Sequence, residues 1–257
     1  MTRPALALLG SGEFEPWTEP VDRWLLDTAR RAGRSDRVLI FPAASAAEGD
    51  DVFDRWGNMG LEHYRSLGIP AEVVPVKTRR DADRADLAAR LDGAAVVFFS
   101  GGNPAFLADV LAGSRLWASV LRELEEGLAY AGCSAGIVCL GEVAPDSAAA
   151  ARDGAMALTR PGLRLFPKTY FGAHWDMLDT FIPGLRDMIV SSVPADCRLL
   201  GLDERTALVG DGTAWRVVGA GGAHLYEGGA WRSHPAGQTF DHSLLAAPAT
   251  TASTSSP

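Results

Sequence analysis

Several features are scarce in this sequence, and each scarcity removes a class of protein. Cysteine is rare: Cys133, Cys139 and Cys197 are the only three in 257 residues. An odd number, set in apolar runs and without metal-ligand spacing, predicts reduced thiols in a cytoplasmic protein rather than a disulfide framework or a zinc site. Positive charge is in deficit, with 24 Lys and Arg against 32 Asp and Glu and a formal net charge of −8. No basic stripe offsets it, so a nucleic-acid partner is not expected, and the mild acidity reads as a solubility feature. Long apolar runs are missing. Nowhere do the ~18 uninterrupted apolar residues of a membrane span occur, and no membrane partner is expected. "MTRPALALLGSGE" has only a five-residue apolar run before Gly10, which predicts no signal peptide. No internal repeat is visible, and no motif calls for a metal or cofactor.

What is present is an ordinary globular composition, 47% hydrophobic and 22% charged. A chain of this length suits one large domain or two small ones and buries roughly 70–75% of its unfolded surface. "ALALLG" (5–10), "RVLIFPAAS" (37–45), "AEVVPV" (71–76), "AAVVFFSGG" (94–102) and "GLAYAG" (127–132) read as buried strands. Helical patterns alternate with them. Val21, Trp24, Leu25, Thr28 and Ala29 mark the first, with Thr18 as N-cap and Pro20 in its first turn. Phe53, Trp56, Gly60, Tyr64 and Leu67 mark the second, stopped by Gly68. Leu87 and Leu91 belong to a third, and Phe106, Leu107, Val110 and Leu111 to a fourth, capped by Asn103 with Pro104 at its first position. Uniformly apolar strands between amphipathic helices predict an α/β fold, a parallel sheet flanked by helices. From about residue 199 the texture becomes β-rich and glycine-punctuated, which predicts a small antiparallel meander on the edge of the same domain. The closing "AAPATTASTSSP" has nothing to bury, so a disordered tail over 246–257 should follow a single domain over 1–245.

"AYAGCSAGIVCLG" (129–141) places Cys133 and Ser134 side by side at the end of the fifth strand. A strand-to-helix turn that carries a nucleophile needs small residues two positions to either side. Ser134 has Gly132 and Gly136 there, completing G-x-S-x-G, whereas Cys133 has Ala131 and Ala135. The spacing favours serine at the apex and cysteine in the packing.

A serine needs a base and a group that orients the base. Of the five histidines, His63 reads as a surface residue in mid-helix, and His224, His234 and His242 fall in the meander or near the tail. His174, in "TYFGAHWDMLDTF", follows a short apolar strand, at the sheet edge where catalytic groups gather. From the residues alone it is equally a base or a half-buried neighbour of Trp175. Asp203 and Glu204 end an apolar run and are either the acid partner or a charged turn. "FFSGGNP" (98–104) is a tight turn capped by Asn103, and its bare N–H groups can also hold an oxyanion. In "GSGEFEPW" (10–17), Glu13 either lines the pocket or merely sits near a helix start.

Four segments in one order, "SGGN", "GCSAG", "AHW" and "GLDERTAL", resemble the serine peptidase family that contains aspartyl dipeptidase and cyanophycinase, over roughly residues 5 to 220. The resemblance implies a flavodoxin-like fold of the class I glutamine amidotransferase type, with serine replacing the usual elbow cysteine. It implies Ser134 as nucleophile, His174 as base, Glu204 as acid, and the N–H groups of Gly102 and Ala135 as oxyanion hole. The order serine, histidine, acid differs from that of lipase-like hydrolases, which would need Asp146 or Asp153 as acid with His174 or a later histidine such as His224. Where cyanophycinases usually carry Asp-Gln after the two glycines, this chain has Asn103 and Pro104, nearer the dipeptidase pattern, whereas its β-rich region is nearer the cyanophycinases. The implied activity is acyl-enzyme hydrolysis of a small peptide or isopeptide, with Asn103 and Glu13 as candidate substrate contacts and a homodimer compatible with the sequence. The alternative is a non-catalytic or amidotransferase-like binder of small molecules, in which Cys133 would have to be any nucleophile.

Overall fold

The computed structural model describes residues 3–146 and 160–245. Its larger sheet has eight strands, which lie across it in the order 239–241, 214–219, 206–210, 6–9, 129–133, 96–99, 38–41 and 71–73. Strands β1 (Leu6–Leu9), β2 (Val38–Phe41), β3 (Ala71–Val73), β4 (Val96–Phe99) and β5 (Ala129–Cys133) form its parallel part. Every residue of β1, β2, β4 and β5 is buried, which is why these strands read as unbroken apolar runs. Alternate residues feed opposite cores. Leu6, Leu8, Leu39, Phe41, Val97, Phe99 and Tyr130 pack on one face; Ala7, Leu9, Val38, Ile40, Val96, Phe98 and Ala131 pack on the other. The second face is covered by α1 (Glu19–Arg31) and α2 (Asp50–Ser66), the first by α5 (Pro104–Leu111) and α6 (Arg115–Glu125). Two short helices, α3 (Arg79–Ala82) and α4 (Ala85–Ala88), link β3 to β4 where one longer helix is expected.

The C-terminal β-region is divided between two sheets, not gathered in one meander at the edge. Strand β8 (Thr206–Gly210) pairs antiparallel with β1, and β9 (Ala214–Gly219) and β12 (Thr239–Asp241) extend the main sheet beyond it. Strands β6 (Thr169–Gly172), β7 (Arg198–Leu202), β10 (Gly222–Glu227) and β11 (Ala230–Pro235) form a four-stranded sheet in the order β11-β10-β7-β6. The pair β6 and β7 is parallel, connected through α8 (Leu178–Phe181) and α9 (Leu185–Ser192). Leu200, Leu202, Ala223 and Leu225 join the large core cluster, whereas Leu199 faces Tyr170, Trp175 and Leu185 on the other side. Both faces of β7 are thus occupied, and a two-faced strand cannot sit in a half-exposed edge meander.

Two further local expectations are corrected. The third strand stops at Val73 rather than residue 76; Val74 N–H still donates to Ile40 O, but Pro75 has no N–H to continue the ladder. His63 is buried rather than on the surface, its Nε2 lying 2.8 Å from Asp22 Oδ2, while Tyr64 donates its hydroxyl to Asp22 Oδ1. Residues 246–257 and Asp153 lie outside the described residues. Among those described, no helix is long and apolar enough to cross a membrane.

Candidate active site

The carboxyl ends of five strands, β1, β4 and β5 of the main sheet and β6 and β7 of the second, converge on one place. Strand β5 runs into Ser134, which opens α7 (Ala135–Val138) with φ +50° and ψ −110°. A non-glycine residue in that conformation is strained and persists only where its surroundings enforce it. The flanking glycines show how. A Cβ on Gly132 would lie 2.4 Å from Gly136 O, and one on Gly136 would lie 2.2 Å from Phe99 O. Ser134 N–H donates to Leu9 O and Tyr130 Oη donates to Gly136 O, tying the turn to β1 and β5. The sequence spacing therefore has a steric cause.

Cys133 points the other way. It is fully buried, and its thiol donates to Glu13 Oε2 at 2.8 Å. Burial, and then the adjacent Glu13 charge, push that thiol well above the ordinary cysteine range.

His174 follows β6 with φ +52°, and the N–H of the next residue, Trp175, is anchored on Leu202 O of the neighbouring strand. Its Nε2 lies 3.0 Å from Ser134 Oγ and its Nδ1 lies 2.6 Å from Glu204 Oε1. With Nδ1–H donating to the carboxylate, Nε2 is the acceptor that faces the serine. Glu204 leaves β7, and its own N–H donates to Asp176 Oδ1. Its second oxygen accepts a 2.5 Å hydrogen bond from Ser11 Oγ, which in turn accepts from Arg205 N–H. Burial pushes the Glu204 carboxyl up. The Ser11 and His174 hydrogen bonds, with the charge of Arg205, outweigh it and hold the group below the usual range.

The neighbouring acids are committed elsewhere. Asp203 accepts from Gly222 N–H and pairs with His224 Nε2, so of the "DE" pair only the glutamate faces His174. Asp146 accepts from Asn103 Nδ2 and lies 3.6 Å from Arg160 Nη1.

Gly102 and Asn103 close the site from β4. Gly102 has φ +140°, and a Cβ there would strike the Ala44 backbone at 2.4 Å, so only glycine fits. Asn103 Oδ1 caps Phe106 N–H, leaving its amide at both ends occupied by protein partners. Ala135 is the first residue of α7, so its N–H is among the donors that a helix start leaves without an intrahelical acceptor. Glu13 is buried, its Oε1 accepting from Gly101 N–H, and so faces protein donors. Ser11 and Asp176 escaped the reading of the sequence, although Ser11 lies within "GSGEFEPW" at the edge already suspected. Phe181 stands edge-on to His174, with ring centroids 5.9 Å apart, and is 57% exposed. Among the described residues no cluster of three or more His, Cys, Asp or Glu side chains is placed to hold a metal ion.

The sequence profile of peptidase family S51 matches residues 6–218. The chain is similar to cyanophycinases from Synechococcus elongatus and Thermosynechococcus vestitus, 27% identical over 215 residues in each case. That match covers 80% of this chain but 63% of each cyanophycinase, so the chain spans less than two thirds of those relatives' length. Among solved structures it is similar to a peptidase from an acI-B1 Actinobacterium, at 29% identity and a TM-score of 0.83, covering 93% of this chain and 97% of that one. By the extent of the profile match, this chain belongs to peptidase family S51.

Proposed function

We propose that this chain is a serine peptidase that hydrolyses a small peptide or isopeptide through an acyl-enzyme. The observation that carries the reading is the hydrogen-bonded series Ser134 Oγ, His174, Glu204, assembled from two sheets with distances of 3.0 and 2.6 Å. Ser134 Oγ attacks the carbonyl carbon while His174 Nε2 takes its proton. The Glu204 carboxylate, held ionised by Ser11 and His174, fixes the imidazole and stabilises its charged form. The oxyanion is met by Gly102 N–H and Ala135 N–H. His174 then protonates the leaving amine, and water repeats the sequence to free the acid and restore Ser134.

The amidotransferase-like alternative needs Cys133 as a thiolate. Its thiol is buried, hydrogen-bonded to Glu13 and pushed up, conditions that suppress nucleophilicity. Similarity to cyanophycinases supports an amide substrate, a small peptide or isopeptide, α- or β-linked. The deciding experiment presents a library of both linkages to the wild type and to Ser134→Ala, alongside a fluorophosphonate. Turnover and labelling in the wild type, both lost in Ser134→Ala, are expected. Activity that survives Ser134→Ala, or a wild type that neither turns over nor labels, would overturn the reading.

A further inference from the structure

Glu13 is a buried carboxylate, 5% exposed, whose recorded partners among the described residues are neutral rather than an arginine, lysine or histidine. Such a group is costly to bury unless its position is needed. Its oxygens take two neutral donors from two different segments: Gly101 N–H at 2.9 Å on Oε1 and the Cys133 thiol at 2.8 Å on Oε2. Gly101 immediately precedes Gly102, and Cys133 immediately precedes Ser134. The carboxylate thus bridges the loop bearing the oxyanion donor to the turn bearing the nucleophile.

Packing at this point is close. A Cβ on Gly101 would lie 3.2 Å from Glu13 Oε1 and 3.5 Å from Ser134 Cβ. The loop that brings Glu13 here is bent to do so. Gly12 has φ +72° and Phe14 has φ +64°, a region that phenylalanine rarely adopts. Phe14 is locked by aromatic contact with Phe98, with centroids 4.6 Å apart, so the strained loop rests on the core. The same loop carries Ser11, which holds the acid.

We propose that Glu13 is a positioning residue. Through Gly101 and Cys133 it sets the distance between the Gly102 N–H and Ser134, without touching substrate. This rests on the serine peptidase reading and deepens it. An apolar residue at position 13 would leave Gly101 N–H unmet and the glycine loop free to drift from the oxyanion. A displacement of about an ångström in such a site can cost ~100-fold in rate.

The test uses the full chain as Glu13→Ala, Glu13→Gln and Cys133→Ala, on the best substrate from the library, with Ser134→Ala as the inactive control. Glu13→Ala should lower kcat by about 10–100-fold with KM within about threefold, and should slow phosphonate labelling of Ser134 in parallel. Glu13→Gln keeps an oxygen for Gly101 N–H and should recover most of the loss. Cys133→Ala, which leaves the Gly101 bond, should fall between wild type and Glu13→Ala. Hydrogen exchange at the Gly101 amide reads the bridge without reference to turnover, and protection should be lost in Glu13→Ala and kept in Glu13→Gln. Wild-type kcat in a folded Glu13→Ala, a rise confined to KM, or a glutamine variant no better than alanine would overturn the proposal. If Glu13→Ala fails to fold, Glu13→Gln decides: kcat close to wild type with the Gly101 amide protected supports the bridge, and an exposed amide refutes it. A wild type that neither turns over nor labels would sink the peptidase reading, while the exchange result would still judge the bridge.

Discussion

Replacing Ser11 by alanine removes one hydroxyl that serves two partners. It donates to Glu204 Oε2 at 2.5 Å and accepts from Arg205 N–H at 3.0 Å, and Ser11 itself is only 4% exposed. A hydrogen bond to a charged group contributes about 1.5–3 kcal/mol, whereas Arg205 is exposed, so water can replace the hydroxyl at its N–H. The Glu204 side chain is 37% exposed, so water recovers part of the first loss. A net destabilisation of ~1–2 kcal/mol at neutral pH follows, readable as a lowered urea midpoint with unchanged slope. Ser11 is also the foremost of the groups that hold the Glu204 carboxyl low, so its removal lets burial raise that carboxyl. A carboxyl depressed in the folded state adds stability above its ordinary value near ~4.3, and that stability is lost as pH falls through the folded value. The gap between wild type and Ser11→Ala should therefore narrow below about pH 4. In kinetics, a less firmly held acid should lower kcat/KM by about tenfold, equivalent to ~1.4 kcal/mol. The acidic limb of the pH profile should move upward. A folded Ser11→Ala with wild-type kcat/KM and an unmoved acidic limb would refute the claim that Ser11 supports Glu204.

Other expectations follow from the same geometry. His174→Ala should reduce kcat about as far as Ser134→Ala, and Glu204→Gln less far, since members of such a series act as a unit; strictly additive losses in double variants would count against it. Gly136→Ala drives a Cβ into Phe99 O, so it should cost about 1–3 kcal/mol of stability and slow phosphonate labelling of Ser134 by ~100-fold; labelling at the wild-type rate would show the turn to be looser than drawn. Burial pushes the Asp211 carboxyl up, but Ala214 N–H, Arg3 and Thr213 outweigh it and hold it well below the carboxylate range. Asp211→Asn should therefore cost ~1–2 kcal/mol at pH 7, with the difference shrinking from about pH 4 downward; a gap independent of pH would contradict this.

The parallel part of the fold was legible because buried strands have one signature, an apolar run bounded by turn residues. Leu6–Leu9, Val38–Phe41 and Val96–Phe99 are read directly, since both faces of each are covered. The C-terminal strands were legible as strands but not as two sheets. "RLLGL" and "TALVG" are similar in length and hydrophobicity and stand only three residues apart, yet β7 joins β6 while β8 joins β1. The choice is made by long-range pairing, which local pattern does not encode. His63 misled for a related reason. Its helical face was visible, three residues from Gly60, but its partner Asp22 lies 41 residues away, and a histidine's burial depends on whether such a partner arrives.

The site divides along the same line. Ser134 could be chosen over Cys133 because a turn's demand for small residues at fixed offsets is local, and the clashes at Gly132 and Gly136 are that demand in steric form. His174 and Glu204 lie 40 and 70 residues beyond Ser134 and could be ranked only by their place at strand ends. The roles proposed for them rest on resemblance, not on spacing. Ser11 and Glu13 are harder still, since a serine or glutamate after a glycine carries no mark of its partner. What the sequence does show is the shape of the loop: "GSGEF" sets glycines around Ser11, and the backbone uses Gly12 and Phe14 at positive φ to turn both side chains inward. In the proposed mechanism one short loop thereby supports Glu204 through Ser11 and the surroundings of Ser134 through Glu13. Loosening this loop should therefore impair both halves of the site at once, whereas damage at His174 or Gly102 would impair one.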